Sequence, residues 1–241
     1  MKKTLSAFLA LLLVLSLMAC GGNSAQEQIP DPHQGTEPAE EQTSGTNQSE
    51  EPAQEQAPDL HRGTVEGSTY TSQFLGIRLT ADGDWAIADE EQLAELSGMV
   101  LDAFSDEDIK AQLEKGGSVM DLYALNQANG SSVNITLQKL GLFDGGLMSE
   151  DDYADSQLKQ LPDALASTGI TVDKLEHTKA TFAGQEHAVL TLEGSIQDYP
   201  LYETMVLIKS GSYIACVTAA SYFEDNTGDL LAMFQPLQTQ K

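Results

Sequence analysis

Between Phe8 and Tyr70 the chain carries no aromatic residue. A core needs large apolar side chains, so folding is expected to begin near Tyr70. The stretch before it divides in two. Residues 7–15, AFLALLLVL, form an apolar run behind Met1-Lys2-Lys3, and the small Ala19 precedes Cys20. Positive start, apolar middle and small residue are the layout of a secretory signal peptide. A membrane-spanning helix needs about 20 apolar residues, more than lie between Lys3 and Cys20. From Gly21 to about Glu66 the composition turns to Pro, Glu, Gln, Ser, Thr and Gly. Such a segment buries too little apolar surface to offset its ordering entropy, so it reads as a disordered spacer. Prolines and like charges favour extension, with a reach on the order of 35 Å for about 40 residues.

Leu17-Met18-Ala19-Cys20 resembles the bacterial lipoprotein signal, the lipobox, with Met18 outside its commonest residues. The resemblance implies that residues 1–19 are removed and that the Cys20 thiol carries a diacylglyceryl group. Two acyl chains hold a protein on a membrane stably, where one is marginal. The expected placement is the extracytoplasmic face of the cell membrane, with Cys20 as the lipid attachment. Residues 20–66 are then the lipidated cysteine and its acidic spacer. The other cysteine is Cys216. With Cys20 acylated an intrachain disulfide is excluded, and Cys216, inside the apolar YIACVTA, reads as a small core hydrophobe.

Residues 67–241 suffice for one ordinary domain. They hold twenty-seven Asp and Glu against nine Lys and Arg, a net of −18. A surface this negative repels nucleic acid and anionic headgroups, so no nucleic-acid partner is expected. It admits cationic partners or divalent cations.

Phe74, Ile77 and Leu79 read as a short strand, and Asp82-Gly83-Asp84 as a turn delivering Trp85. Asp89 to Gln92 has the form of a capping box. Leu93, Leu96, Val100 and Phe104 follow at helical spacing. Ser105 opens a second helix, with Ile109 and Leu113 on one face and Gly116-Gly117 as its stop. Asn129-Gly130 predicts a two-residue hairpin turn. Folding there opposes Leu122 to Leu137 and Ala124 to Ile135, with one face apolar and the other mixed. Ser149 caps a third helix carrying Ala154, Leu158, Leu161 and Leu165, which Pro162 should kink or split. Strands are expected over 170–175, 180–182, 187–192, 199–208 and 213–218, and a last amphipathic helix over 225–234. Antiparallel strands with segregated helices make an α+β fold, an antiparallel sheet flanked by helices in an α/β/α sandwich.

Tyr70, Phe74, Gly76-Ile77 and Trp85, followed by helices, a hairpin, a helix and a closing meander, resemble the PsbP-like (Mog/PsbP-type) fold. That family's frequent Pro before the Trp is replaced here by Asp82-Gly83-Asp84. The resemblance implies a binding or assembly protein rather than an enzyme, and carries over no functional residue.

The chemistry-bearing residues fall into few patterns. His177 and His187 sit near the ends of neighbouring strands, without the spacing of a catalytic zinc site. Asp106-Glu107-Asp108 and Glu150-Asp151-Asp152 stand behind serines at helix starts, where capping and the helix dipole account for them. Asp82-Gly83-Asp84 lacks the alternating ligands of a calcium loop. No catalytic, cofactor-binding or metal residue is expected, and no cofactor. The expected function is a membrane-anchored, non-enzymatic lipoprotein binding a protein partner or cell-envelope component. The alternative is a small-ligand or divalent-cation binding module.

Overall fold

A computed structural model describes residues 59–141 and 147–237 of the chain; Cys20, the signal peptide and the spacer as far as residue 58 lie outside the described residues. Strands β1 (Thr64–Glu66), β2 (Thr69–Ser72), β3 (Ile77–Thr80) and β4 (Trp85–Ile87) come first. Helices α1 (Glu90–Leu96) and α2 (Asp106–Glu114) precede the hairpin of β5 (Ser118–Asn126) and β6 (Ser132–Lys139). Helix α3 (Glu150–Ser167) leads into a meander of β7 (Ile170–Phe182), β8 (Gln185–Ile196), β9 (Tyr199–Ser210) and β10 (Tyr213–Tyr222). The short α4 (Thr227–Leu231) and β11 (Phe234–Pro236) follow.

Local chemistry sets the helix starts. Asp89, Ser105 and Ser149 each accept a bond from the backbone N–H three residues on. In each box the third residue, Gln92, Asp108 or Asp152, reaches back to the cap. Two orphan donors per helix are thereby satisfied. Pro162 does not split α3, which runs unbroken through it.

The strands form two antiparallel sheets, one of order β4-β5-β6-β10-β9-β8-β7 and a smaller one of order β1-β2-β3-β11. Side-chain alternation gives the large sheet two buried faces. One carries Leu190, Leu207, Ile214 and Cys216 against Ala154, Leu161 and Leu165 of α3. The other carries Leu122, Ile135, Leu137 and Val217 toward Leu93, Ile109 and Leu113 of α1 and α2, and toward Tyr70 and Leu79 of the small sheet. This is the expected α+β sandwich, helices on both sides of an antiparallel sheet, with a second sheet added. No described helix is long and apolar enough to cross a membrane.

Several details differ from the sequence reading, and the strands expected over 170–175 and 180–182 are one strand, β7. The helical spacing from Leu93 to Phe104 breaks after Leu96. There Ser97 Oγ donates to Leu93 O (2.8 Å) and accepts from Met120 N–H (2.9 Å), and Gly98 turns with φ +67°. Val100 is therefore exposed and Phe104 buried. The hairpin register slips by two, with Leu122 opposite Ile135 and Ala124 opposite Val133. Asn126 Oδ1 accepts from Ala128 N–H (2.9 Å), and Asn129 Oδ1 from Ser131 N–H (2.9 Å). These bonds build a longer loop than a two-residue turn; an even slip preserves the faces. The last helix stops at Leu231, and Phe234 instead pairs with Leu79 in the small sheet. Finally, residues assigned to the spacer are part of the fold: Leu60 is buried and Thr64–Glu66 is a strand.

Candidate functional site

The two sheets part company at β1 and β4. Each is the end strand of its sheet, and between them opens a groove of about 590 Å³. Val65 of β1, Trp85 and Ile87 of β4 and Leu93 of α1 supply apolar wall; Arg62, Asp89 and Glu90 stand among the polar lining. Val65 is 42% exposed beside its fully buried cross-strand partner Tyr70, so the groove presents open apolar surface here.

The backbone of β4 is half used. Ala88 N–H donates to Tyr123 O (2.8 Å), and Asp84 O accepts from Gln127 N–H (2.9 Å). Residues 84, 86 and 88 thus bond toward β5, and antiparallel geometry turns the N–H and C=O of Trp85 and Ile87 outward, away from the sheet.

Arg62 and Gly63, in a strap of residues 60–63, form part of the groove wall. Asp121, at a register shift in β5, turns its carboxylate inward, where it accepts from Tyr70 Oη (2.5 Å) and from Gly63 N–H (3.0 and 3.2 Å). Burial raises the pKa of Asp121, against the lowering effect of those bonds; burial and the Asp121 charge raise that of Tyr70. Gly63 has to be glycine, because a Cβ there would lie 2.1 Å from the Tyr70 ring. Arg62 pairs with Glu90 and lies over the Phe104 ring, 4.6 Å from its centroid. Its Nε is buried without a hydrogen-bond partner, Asp106 Oδ1 being 3.8 Å away. His61 Nδ1 is 2.9 Å from Asp106 Oδ2, and Arg62 N–H donates to Asp106 Oδ1 (3.2 Å). Burial pushes the Asp106 carboxyl up, but these bonds outweigh it and hold it below its ordinary value.

A second cavity, about 440 Å³, lies at the start of α3 and includes His187, Lys179 and Lys209 in its lining. Glu150 fills the gap where β8 and β9 diverge beyond Val189 and Val206. Its carboxylate accepts from Lys209 N–H (2.8 Å) and Ala188 N–H (3.2 Å) and sits 3.0 Å from His187 Nδ1. Burial raises its pKa, yet the partners prevail and lower it overall.

Cys20 lies outside the described residues. The two histidines are not brought together: His177 is opposite Leu190 and His187 opposite Ala180, on opposite faces. His177 instead meets Asp155 (2.9 Å) and Asp151 (3.2 Å) of α3. Among the described residues no group of three His, Cys, Asp or Glu could hold a metal ion. Asp82-Gly83-Asp84 is a turn, with Gly83 at φ +74°, and Asp82 accepts from Ser68 Oγ (2.7 Å). Cys216 is buried in the core beneath α3. The sequence reading missed the groove. Its one available signal was the sole tryptophan of the chain standing behind an acidic turn.

No protein-family model matches the chain, and no curated protein matches it. Solved structures that it resembles include LpqN of Mycobacterium tuberculosis, described as involved in cell envelope biogenesis. The identity is 14% and the TM-score 0.32, over 65% of this chain and 75% of that one. A likeness at this level carries no functional argument.

Proposed function

We propose that this chain is an exported lipoprotein, held at the extracytoplasmic face of the cell membrane by lipid on Cys20. Its domain, carried on the acidic spacer, captures a protein partner or envelope component in the groove between β1 and β4 without acting as an enzyme. The observation that carries this reading is the groove itself. Its walls offer apolar surface and open strand edge, a binding chemistry, rather than a nucleophile beside its base. Apolar patches left open on a folded surface mark interaction sites. Nucleic acid is disfavoured by the −18 charge of residues 67–241.

Labelled palmitate should enter the wild-type protein, and Cys20→Ser should lose both label and membrane association while the exported domain stays folded. Label-free wild type would remove the anchor from the proposal. The cation-binding alternative rests on the same acidity. Thermal unfolding with millimolar Ca²⁺, Mg²⁺ or Mn²⁺ separates it, because a ligand of the native state raises the midpoint. An unchanged midpoint with all three leaves partner capture.

A further inference from the structure

We infer that the groove's occupant is an extended, lysine- or arginine-bearing segment of a partner polypeptide, which adds a strand to the open edge of β4. This deepens the reading of the groove as a partner site and rests on it.

Three observations converge. The outward N–H and C=O groups of Trp85 and Ile87 form the ladder that an incoming antiparallel strand needs. Beside that edge, Val65, Trp85, Ile87 and Leu93 give an apolar trough for alternate side chains of such a strand. The third observation is charge. From residue 79 to residue 109 the chain has ten Asp and Glu and no Lys or Arg. Asp82, Asp84, Asp89 and Glu91 are exposed on the segments flanking β4. Glu90 is taken by Arg62, whose guanidinium is also stacked on Phe104. The field at the mouth is therefore anionic, and side chains pointing away from the trough meet carboxylates. Complementary potential both steers the encounter and rejects wrong partners.

The same field disfavours the two occupants nearest at hand. A second copy would set one acidic edge against another. The spacer, residues 21–58, has eight Asp and Glu and no Lys or Arg.

Trp85 is the sole tryptophan, so its fluorescence reports on the groove alone. The full chain in detergent is titrated with a capped peptide of alternating lysine and valine. A glutamate–valine peptide and a lysine–valine peptide N-methylated on one strand edge serve as controls. We expect saturable change in Trp85 emission with the first peptide, weakened by added salt. At least about tenfold weaker binding is expected for the N-methylated peptide, which keeps the charge but loses ladder bonds. Ile87→Pro should give a similar loss, because it removes an outward N–H and leaves every bond to β5 in place. Its far-UV circular dichroism and melting midpoint show whether it is folded, and the N-methylated peptide poses the same question to the wild type if it is not. Equal binding of the lysine and glutamate peptides, equal binding of the N-methylated one, or no emission change overturns the inference. A photo-crosslinker at Val65, used on intact cells, keeps the two levels apart. Crosslinks to a partner despite a failed peptide titration would leave the groove a partner site and remove only strand addition. Crosslinks solely to another copy of the chain or to its spacer would overturn the inference. Failure of both would remove the groove reading as well.

Discussion

At one side of the large sheet the edge strand β7 runs thirteen residues; at the other β4 runs three. The long edge is defended. It carries a bulge at Asp173 and a line of charge, with Lys174 paired to Glu176 (2.8 Å) and Glu193 (3.4 Å), and Lys179 to Asp151 (2.9 Å). Bulges and edge lysines are how sheets prevent unwanted pairing. The short edge has neither device. It presents Trp85 and Ile87, half-buried, over an open trough. A strand of thirteen residues could template aggregation along its whole length, whereas three residues beside a groove can be left open for selective use. The two edges of one sheet thus differ: the long one carries a bulge and ion pairs, and the short one lies open beside a groove.

The largest effect is expected at the bulge of the defended edge. A Cβ on Gly194 would sit 2.3 Å from Thr171 O, a backbone atom that cannot move aside cheaply. Gly194→Ala should cost about 3 kcal/mol in urea unfolding, the upper end of overpacking effects; a cost under about 1 kcal/mol would show the bulge to be pliant. Next in size is Glu203, buried in β9 opposite Leu192 and Ala220, whose pKa burial raises from 4.5 to about 7. The folded state then holds a proton that the unfolded state releases, so this group's contribution to stability falls as pH rises from about 4.5 through 7. The loss is on the order of 3 kcal/mol. Asp121, also raised, acts in the same direction, while Glu150 and Asp106, both lowered, act only below their ordinary values. Glu203→Gln should therefore flatten the decline in melting midpoint between pH 5 and pH 8; an unaltered decline would exonerate Glu203.

On the open side, Gly63→Ala drives a methyl into the Tyr70 ring and should detach the strap. We expect a cost of about 1–2 kcal/mol and a red shift of Trp85 emission, since part of the groove wall leaves. The smallest effect belongs to the guards. Lys174→Ala breaks two exposed ion pairs and should alter stability by less than about 0.5 kcal/mol. Its signature is instead concentration-dependent self-association in sedimentation, absent from the wild type.

Much of this was legible because it is local. Asp89, Ser105 and Ser149 announce their helices through residues three positions on, and the turns at Gly184 and Gly211 separate strands whose pairing is sequential. What escaped depends on distant partners. Phe234 continues an amphipathic pattern, yet it pairs with Leu79 far back in the chain. The hairpin register is a local exception: two asparagine side chains, each bonded two residues on, set the loop rather than the Asn-Gly pair alone. The groove is the extreme case: its walls come from strands of two different sheets, neither of which signals that the other is near.

Arg62 and Gly63 belong at once to the chain leaving residue 59 and to the groove wall. A pull along that chain would meet buried Leu60 first, then the contacts of residues 61–63 with Glu90, Asp106 and Asp121. Tension on the chain and a ligand in the groove would thus bear on the same two residues, Arg62 and Gly63.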